Sequence, residues 1–388
     1  MSKEAPGPKG KLITGSIAEF RADPLAFFLA MQKTYGNVVT IKLATTKSVL
    51  VTHPDDVQYV LRTNRRNYSK RTRGISRLRE ILGDGLLTII DETRWLKNRR
   101  TTQPVFRPKG LDVFVPEIAQ LTQSMLNDWS GVVPMAPTMT RLTLQVAGRC
   151  FFGTVLDETD DIGRAFVDVM EINQNRFRST FSAPLWLPTA QNRRFHKAIG
   201  ALEIRIEALI KERRAAQGQD LLSMLISATD EETGEGLGAV QLRDEAITLL
   251  GAGHETTANA LVLILDLLAR HPTIYGRLRE EALQAWGDDG PNLKDLNKLE
   301  YTTACINEGL RLNPPAWVFG RLAEGPDTVG GFDIPQGTLV MMSPFVTHRR
   351  EDIWPDPLNF KPERFLTEAN DRHPFAFYPF SGGPRICI

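Results

Sequence analysis

Apolar positions change their spacing twice along the chain, and the changes mark regions of different secondary structure. Near the start, Val38 to Leu43 and Ser48 to Thr52 are β-branched runs joined by Ala44 to Lys47, the pattern of a hairpin in a small sheet. His53-Pro54-Asp55-Asp56 then reads as a helix opening, with proline where a free amide is dispensable and acids where the helix dipole favours them. From there to about Pro314 the spacing is helical. Phe195, Ile199, Leu202, Ile206 and Leu209 recur at steps of four and three, one helix face turned to a core. A further helix is expected over about Leu242 to Arg270, after a Gly-, Glu- and Thr-rich loop at Thr229 to Gly238. Between Asp327 and Phe345, Gly330, Gly331, Pro335 and Gly337 punctuate short runs such as Thr338 to Met342, which predicts a second small β region. The expected class is mainly α with small β-sheet regions.

One stretch interrupts the apolar pattern of the helix from Leu242. Gly251-Ala252-Gly253-His254-Glu255-Thr256-Thr257 lies between Ile247 to Leu250 and Leu261 to Leu268. Each interior glycine costs a helix about 1 kcal/mol relative to alanine, and side-chain hydroxyls compete for backbone carbonyls. The helix is expected to bend or widen there, making room for a diatomic ligand or water beside the Thr256 hydroxyl and the Glu255 acid. A zinc-protease H-E-x-x-H is excluded, because Ala258 stands where the second histidine is required. A dinucleotide fingerprint fails too: Thr256 replaces its third glycine, and no strand precedes either this run or Gly234-Glu235-Gly236.

At 388 residues and 42% hydrophobic content, the chain can bury a large core, and a single domain over 1–388 is expected. A net charge of +1 gives no global attraction to nucleic acid, and no nucleic-acid partner is expected. The three cysteines, Cys150, Cys305 and Cys387, are far apart and fit neither a disulfide framework nor a structural zinc site. Met1 to Lys11 holds no apolar stretch, and Leu25 to Met31 is too short to span a bilayer, so a cytoplasmic protein with no membrane anchor in this chain is expected. Eight Lys or Arg residues and no acid lie between Arg62 and Arg79, a stretch able to meet an anionic substrate group or an acidic electron donor.

Phe380-Ser381-Gly382-Gly383-Pro384-Arg385-Ile386-Cys387 presents a cysteine and an arginine on a glycine-rich loop, where missing Cβ atoms permit unusual backbone angles and close approach to a flat group. Phe380, Gly383, Arg385 and Cys387 fall on the F-x-x-G-x-R-x-C pattern, and the loop resembles the cysteine-ligand loop of the cytochrome P450 family. Ala252, Gly253, Glu255 and Thr256 match that family's A-G-x-E-T oxygen-binding motif. Glu308 and Arg311 match its E-x-x-R pair, and Pro362-Glu363-Arg364-Phe365 matches the P-E-R-F segment whose arginine completes a buried triad. Trp95 and Arg99 resemble its W-x-x-x-R helix.

The resemblance implies a P450-like fold, haem b (iron protoporphyrin IX) held by Cys387 as a thiolate, and contacts to the cofactor from Trp95, Arg99, Ala252, Gly253, Arg321, Phe380, Gly383 and Arg385. A thiolate donates electron density to iron and favours O–O cleavage over reversible oxygen binding. Glu255 and Thr256 are then the catalytic pair that guides protons, and Glu308, Arg311 and Arg364 the structural triad. The implied reaction is oxidation of a lipophilic small molecule with O2 and two electrons. Those electrons are expected from a separate ferredoxin or flavodoxin and its reductase, since no flavin or nicotinamide motif is present. Direct use of peroxide, isomerisation of an oxidised substrate, and a non-catalytic haem-thiolate sensor or carrier remain open alternatives. Relatives continue past the cysteine into a helix, whereas one residue follows Cys387 here, so the domain is expected to be C-terminally incomplete, lacking the segment after the haem-ligand cysteine. Apolar stretches at Phe177 to Leu187 and Ala316 to Phe319 are candidate walls of a substrate pocket.

Overall fold

The computed structural model describes residues 3–44, 46–157, 161–178, 183–216, 218–287, 290–366 and 371–388. Its contacts divide the chain into two units: Met1–Ile75, Ala260–Gly287 and Asp295–Ile388 make one, and Ser76–Asn259 with Asp288–Lys294 the other. The class is mainly helical with small sheets, as expected.

In the first unit, β1 (Val38–Leu43) and β2 (Thr46–Val51) form the anticipated hairpin, paired from Val38↔Val51 to Leu43↔Thr46. β2 begins two residues earlier than the run suggests, and Ala44 takes a positive φ of 53° to turn the chain; Thr45 lies outside the described residues. The other strands are β3 (Tyr68–Ser69), β4 (Phe319–Ala323), β5 (Asp327–Val329), β6 (Phe332–Ile334) and β7 (Leu339–Met342). β5 and β6 pair as a hairpin across Gly330 and Gly331, whose φ values of 57° and 79° favour glycine.

The second β region is therefore only partly separate. β7 leaves it to enter the first sheet, whose order is β1-β2-β7-β4-β3, with β7 parallel to β2 and antiparallel to β4. Alternation along these strands feeds two apolar clusters. Val39, Ile41, Leu50 and Met341 face Phe27, Phe28 and Val346, while Val49, Val51, Val340 and Met342 face Val57, Val60, Tyr68, Phe375 and Tyr378. Burying each such side chain contributes about 1.5–3 kcal/mol. Phe375 and Tyr378 lead into the cysteine loop, so the sheet core fixes where that loop starts. The helix opening at His53 is as expected: Pro54–Gln58 is helical, and the His53 side chain accepts the Asp55 amide.

In the second unit, the helix Ala190–Ala215 is capped by Thr189, whose hydroxyl accepts the Asn192 amide at 3.1 Å. Phe195, Leu202, Ile206 and Leu209 are buried as predicted, with Ile199 half-buried and Ala198 sharing the inner face. The long helix runs from Ala239 to Arg270, starting three residues before the expected boundary; its part up to Asn259 belongs to this unit. Its glycine-rich stretch contains no widened turn. Among the described residues, no helix is long and apolar enough to cross a membrane.

Candidate active site

Each unit holds part of the predicted constellation. In the first, the segment from Tyr378 folds back on itself: Ser381 N–H donates to Tyr378 O at 3.0 Å, Ile386 N–H to Gly383 O at 3.1 Å and Cys387 N–H to Phe380 O at 3.1 Å. The turn needs its glycines. Gly383 has φ +70°, and a Cβ there would lie 2.1 Å from Leu61 O; a Cβ on Gly382 would lie 2.4 Å from Cε1 of Phe375. Leu61 sits in a widened π turn, Tyr59–Thr63, at the start of the basic stretch. That stretch is not a plain solvated loop: Lys70 is buried and Arg71 pairs with Glu324, whereas Arg62, Arg66 and Arg73 are exposed.

Burial separates the three cysteines. Cys150 and Cys305 are enclosed, and burial pushes their thiols up to about 11 and about 12, which suits neither to be a thiolate at neutral pH. Cys387 is exposed. It is flanked by Phe380 and Ile386, which are 53% and 44% exposed. An exposed cysteine in one loop with exposed apolar residues suits a flat, largely apolar macrocycle with iron at its centre. Arg385 is half-buried in the same loop; Arg321, on β4, is buried and donates to Gly320 O at 3.0 Å.

Glu308, Arg311 and Arg364 come together in the first unit. Glu308 and Arg311 are 0% exposed on the helix Glu300–Leu312. Arg311 Nε reaches Glu308 Oε2 at 2.7 Å and Nη2 reaches Oε1 at 2.8 Å, a bidentate pair. Its remaining donors meet the carbonyls of His348 (2.7 Å), Pro357 (2.8 Å) and Asn359 (3.2 Å). Arg364, in the turn Pro362–Phe365, places Nε 3.3 Å from Glu308 Oε1, which also accepts the Lys361 amide at 2.9 Å. Every oxygen of the buried carboxylate is thus matched, the condition under which buried charge is tolerated.

His348 was not singled out by any sequence signal, yet it is wholly buried beside this cluster. Desolvation and the charge of Arg311 hold its pKa well below the ordinary histidine range. Of the proposed pocket walls, Trp317 and Val318 pack against the sheet cluster that includes Phe28, so here they serve as core. In the other stretch, residues 179–182 lie outside the described residues.

In the second unit, Ala252, Gly253, Glu255 and Thr256 occupy consecutive turns of the long helix. Thr256 is exposed, and its hydroxyl donates to Ala252 O at 2.5 Å, so it closes onto the helix ladder instead of opening it. His254 faces the opposite way: it is buried, edge-on to Phe166, with Nε2 3.1 Å from Thr140 O, and burial lowers its pKa. Trp95 is 3% exposed and packs inward from the helix Glu92–Thr102, while Arg99 is half-buried with Nε 3.2 Å from Gln103 Oε1.

Sequence reading also passed over Glu245. It is 0% exposed; Oε2 accepts the Leu86 amide at 3.0 Å and Oε1 accepts Gln241 Nε2 at 2.9 Å. Burial raises its carboxyl to about 7. Around it the long helix grips the loop after Leu82: Asp244 accepts the Asp84 amide at 2.8 Å, and Thr248 donates to Leu82 O at 3.3 Å.

Comparison with known proteins agrees with these features. The cytochrome P450 family profile matches residues 5–388. The cyclooctat-9-en-7-ol 5-monooxygenase of Streptomyces melanosporofaciens is 33% identical over 372 residues, 93% of this chain and 80% of the relative. Pentalenene oxygenase of Streptomyces avermitilis is 31% identical, over 97% of this chain and 84% of its own length. The crystal structure of the cytochrome P450DA heme domain superposes with a TM-score of 0.90 at 25% identity, covering 100% of this chain and 87% of that one. With the cysteine loop, the buried triad and the A-G-x-E-T turn, these matches show that the chain belongs to the cytochrome P450 family.

Proposed function

We propose that this cytochrome P450 is a haem-thiolate monooxygenase that inserts one atom of O2 into a lipophilic small molecule and releases the other as water. The observation that carries the reading is the loop Phe380–Cys387, which closes on itself and holds an exposed cysteine together with two exposed apolar residues, Phe380 and Ile386. Haem b, when bound, supplies the iron at which oxygen is reduced and transferred. Cys387 would ligate that iron through its thiolate and donate electron density to it. Arg99, Arg321 and Arg385 would pair with the propionates, with Trp95 backing the helix that carries Arg99. Glu308, Arg311 and Arg364 would act at a distance, as the rigid base of the ligand loop.

On the long helix, the Thr256 hydroxyl and the Glu255 carboxyl would hold and hand over protons. The one hydroxyl proton of Thr256 points to Ala252 O, so its oxygen is available to accept from a donor, and handing a proton on would require the hydroxyl to turn away from that carbonyl. Two relatives are named for oxygenating cyclooctat-9-en-7-ol and pentalenene, which favours a cyclic, lipophilic substrate for this chain as well. The exposed arginines Arg62, Arg66 and Arg73 would meet an acidic ferredoxin or flavodoxin, whose reductase supplies the electrons.

The test is Thr256→Ala. Haem content should be kept, while NAD(P)H consumption shifts from product to peroxide. Unchanged coupling would remove Thr256 from proton handling. Product formed equally well with peroxide alone, without donor proteins, would support the peroxide-using alternative instead.

A further inference from the structure

His348 connects the buried triad to the segment that carries Cys387. Its ring is 0% exposed and lies against Phe377 and Tyr378, with centroids 5.2 and 5.3 Å away. Nε2 stands 3.0 Å from the Tyr378 amide nitrogen, a group that only donates, so Nε2 accepts. Nδ1 stands 3.3 Å from Arg311 O, which only accepts, so Nδ1 carries the proton. A single neutral tautomer satisfies both contacts. Tyr378 in turn is anchored by its hydroxyl, 2.8 Å from Thr347 Oγ1, and its carbonyl accepts Ser381 N–H at 3.0 Å, the first bond of the cysteine loop. Hydrogen bonds therefore run without a break from Arg311 through His348 and Tyr378 to Ser381.

We propose that His348 is a positioning residue for Cys387: its neutral ring ties the start of the ligand loop to the helix Glu300–Leu312 and thereby sets the place of the sulfur. This rests on Cys387 being the haem ligand. The charged groups facing the ring favour the neutral form. Arg311 and Arg349 are both close enough to disfavour a second proton, Arg350 is paired with Asp352, and burial keeps the Tyr378 phenol protonated. A protonated ring would turn an N–H toward the Tyr378 N–H and break the bridge.

His348→Asn and His348→Gln separate the two contacts. The asparagine amide reaches the Nδ1 position and keeps the bond to Arg311 O. The glutamine oxygen reaches the Nε2 position and keeps the acceptor for Tyr378. In haem-loaded protein, hydrogen exchange of the peptide 376–382 should speed up about fivefold to a hundredfold in His348→Asn, as expected for a buried amide that has lost its partner. The red-shifted thiolate band of its reduced carbon monoxide complex should shrink in parallel. His348→Gln should return both toward wild type. Equal exchange and equal bands in the two variants would overturn the proposal, whether both match wild type or both fall, and would leave His348 a packing residue. Absence of the thiolate band from wild type would instead overturn the role of Cys387, and the exchange contrast would still report on the His348 bridge.

Discussion

Replacing Glu245 by glutamine should make the protein more stable above neutral pH and slightly less stable in acid, so that the two stability profiles cross. The carboxyl is 0% exposed, and desolvation outweighs the bonds from Leu86 and Gln241 that favour its charged form. Its native pKa is therefore raised, from 4.5 to about 7. The folded state holds this proton more tightly than the unfolded state does. The stability it contributes is complete below about pH 4.5 and is lost as the pH rises through about 7. The difference corresponds to about 3 kcal/mol. Glutamine never ionises and escapes that loss. Its amide, however, sets one NH2 against the Gln241 donor that now faces Glu245 Oε1, a mismatch worth about 1 kcal/mol. The net expectation is a gain of about 2 kcal/mol near pH 8.5 and a deficit of about 1 kcal/mol near pH 4.5. Urea unfolding followed by tryptophan fluorescence across that range measures it, with Trp95 buried in the same unit. Parallel profiles for the two proteins would refute the reasoning, since they would show that Glu245 titrates alike in the folded and unfolded states.

Arg311→Ala removes the bidentate partner of a carboxylate at 0% exposure, leaving it Arg364 at 3.3 Å as its one cation among the described residues, and should cost about 3–5 kcal/mol, seen as a lower melting temperature and reduced haem content. Arg311→Lys should rescue little, because one ammonium cannot reach both Glu308 oxygens and the three carbonyls that the guanidinium spans. Gly383→Ala should disrupt the ligand loop, its Cβ meeting Leu61 O at 2.1 Å on a backbone of φ +70°. Gly74→Ala, whose nearest neighbour would be 4.0 Å away, should be silent in the same thermal and spectroscopic assays.

What was legible in the sequence were features carried by short, local spacing. The E-x-x-R pair and the β1–β2 hairpin depend on neighbours a few residues apart, and each is found with the expected partners; the cysteine loop closes through backbone bonds of its own that no spacing foretold. The join of Arg364 to Glu308, 56 residues apart, was implied only by the family resemblance of the P-E-R-F segment. Features that depend on distant partners were not. β7 looked like part of a second sheet because its parallel neighbour β2 lies at the other end of the chain, and β3 is two residues long. Glu245, within Arg243-Asp244-Glu245, reads as a solvated helix face, and only the loop packed over it turns it into a buried acid. His348 has no motif of its own; its importance comes from Arg311 and Tyr378, which the fold brings to either side of one ring. The glycine-rich turn of the long helix was expected to widen, but the Thr256 hydroxyl caps the Ala252 carbonyl while the helix continues through it.

The central claim is that Cys387 is the ligand sulfur. The most direct measurement is the carbon monoxide difference spectrum of the reduced, haem-loaded protein, compared with Cys387→Ser and with Cys150→Ser and Cys305→Ser as controls. A red-shifted thiolate Soret band in wild type and both controls, lost in Cys387→Ser alone, is the predicted result. A band that survives Cys387→Ser, or that is absent from haem-loaded wild type, would contradict it.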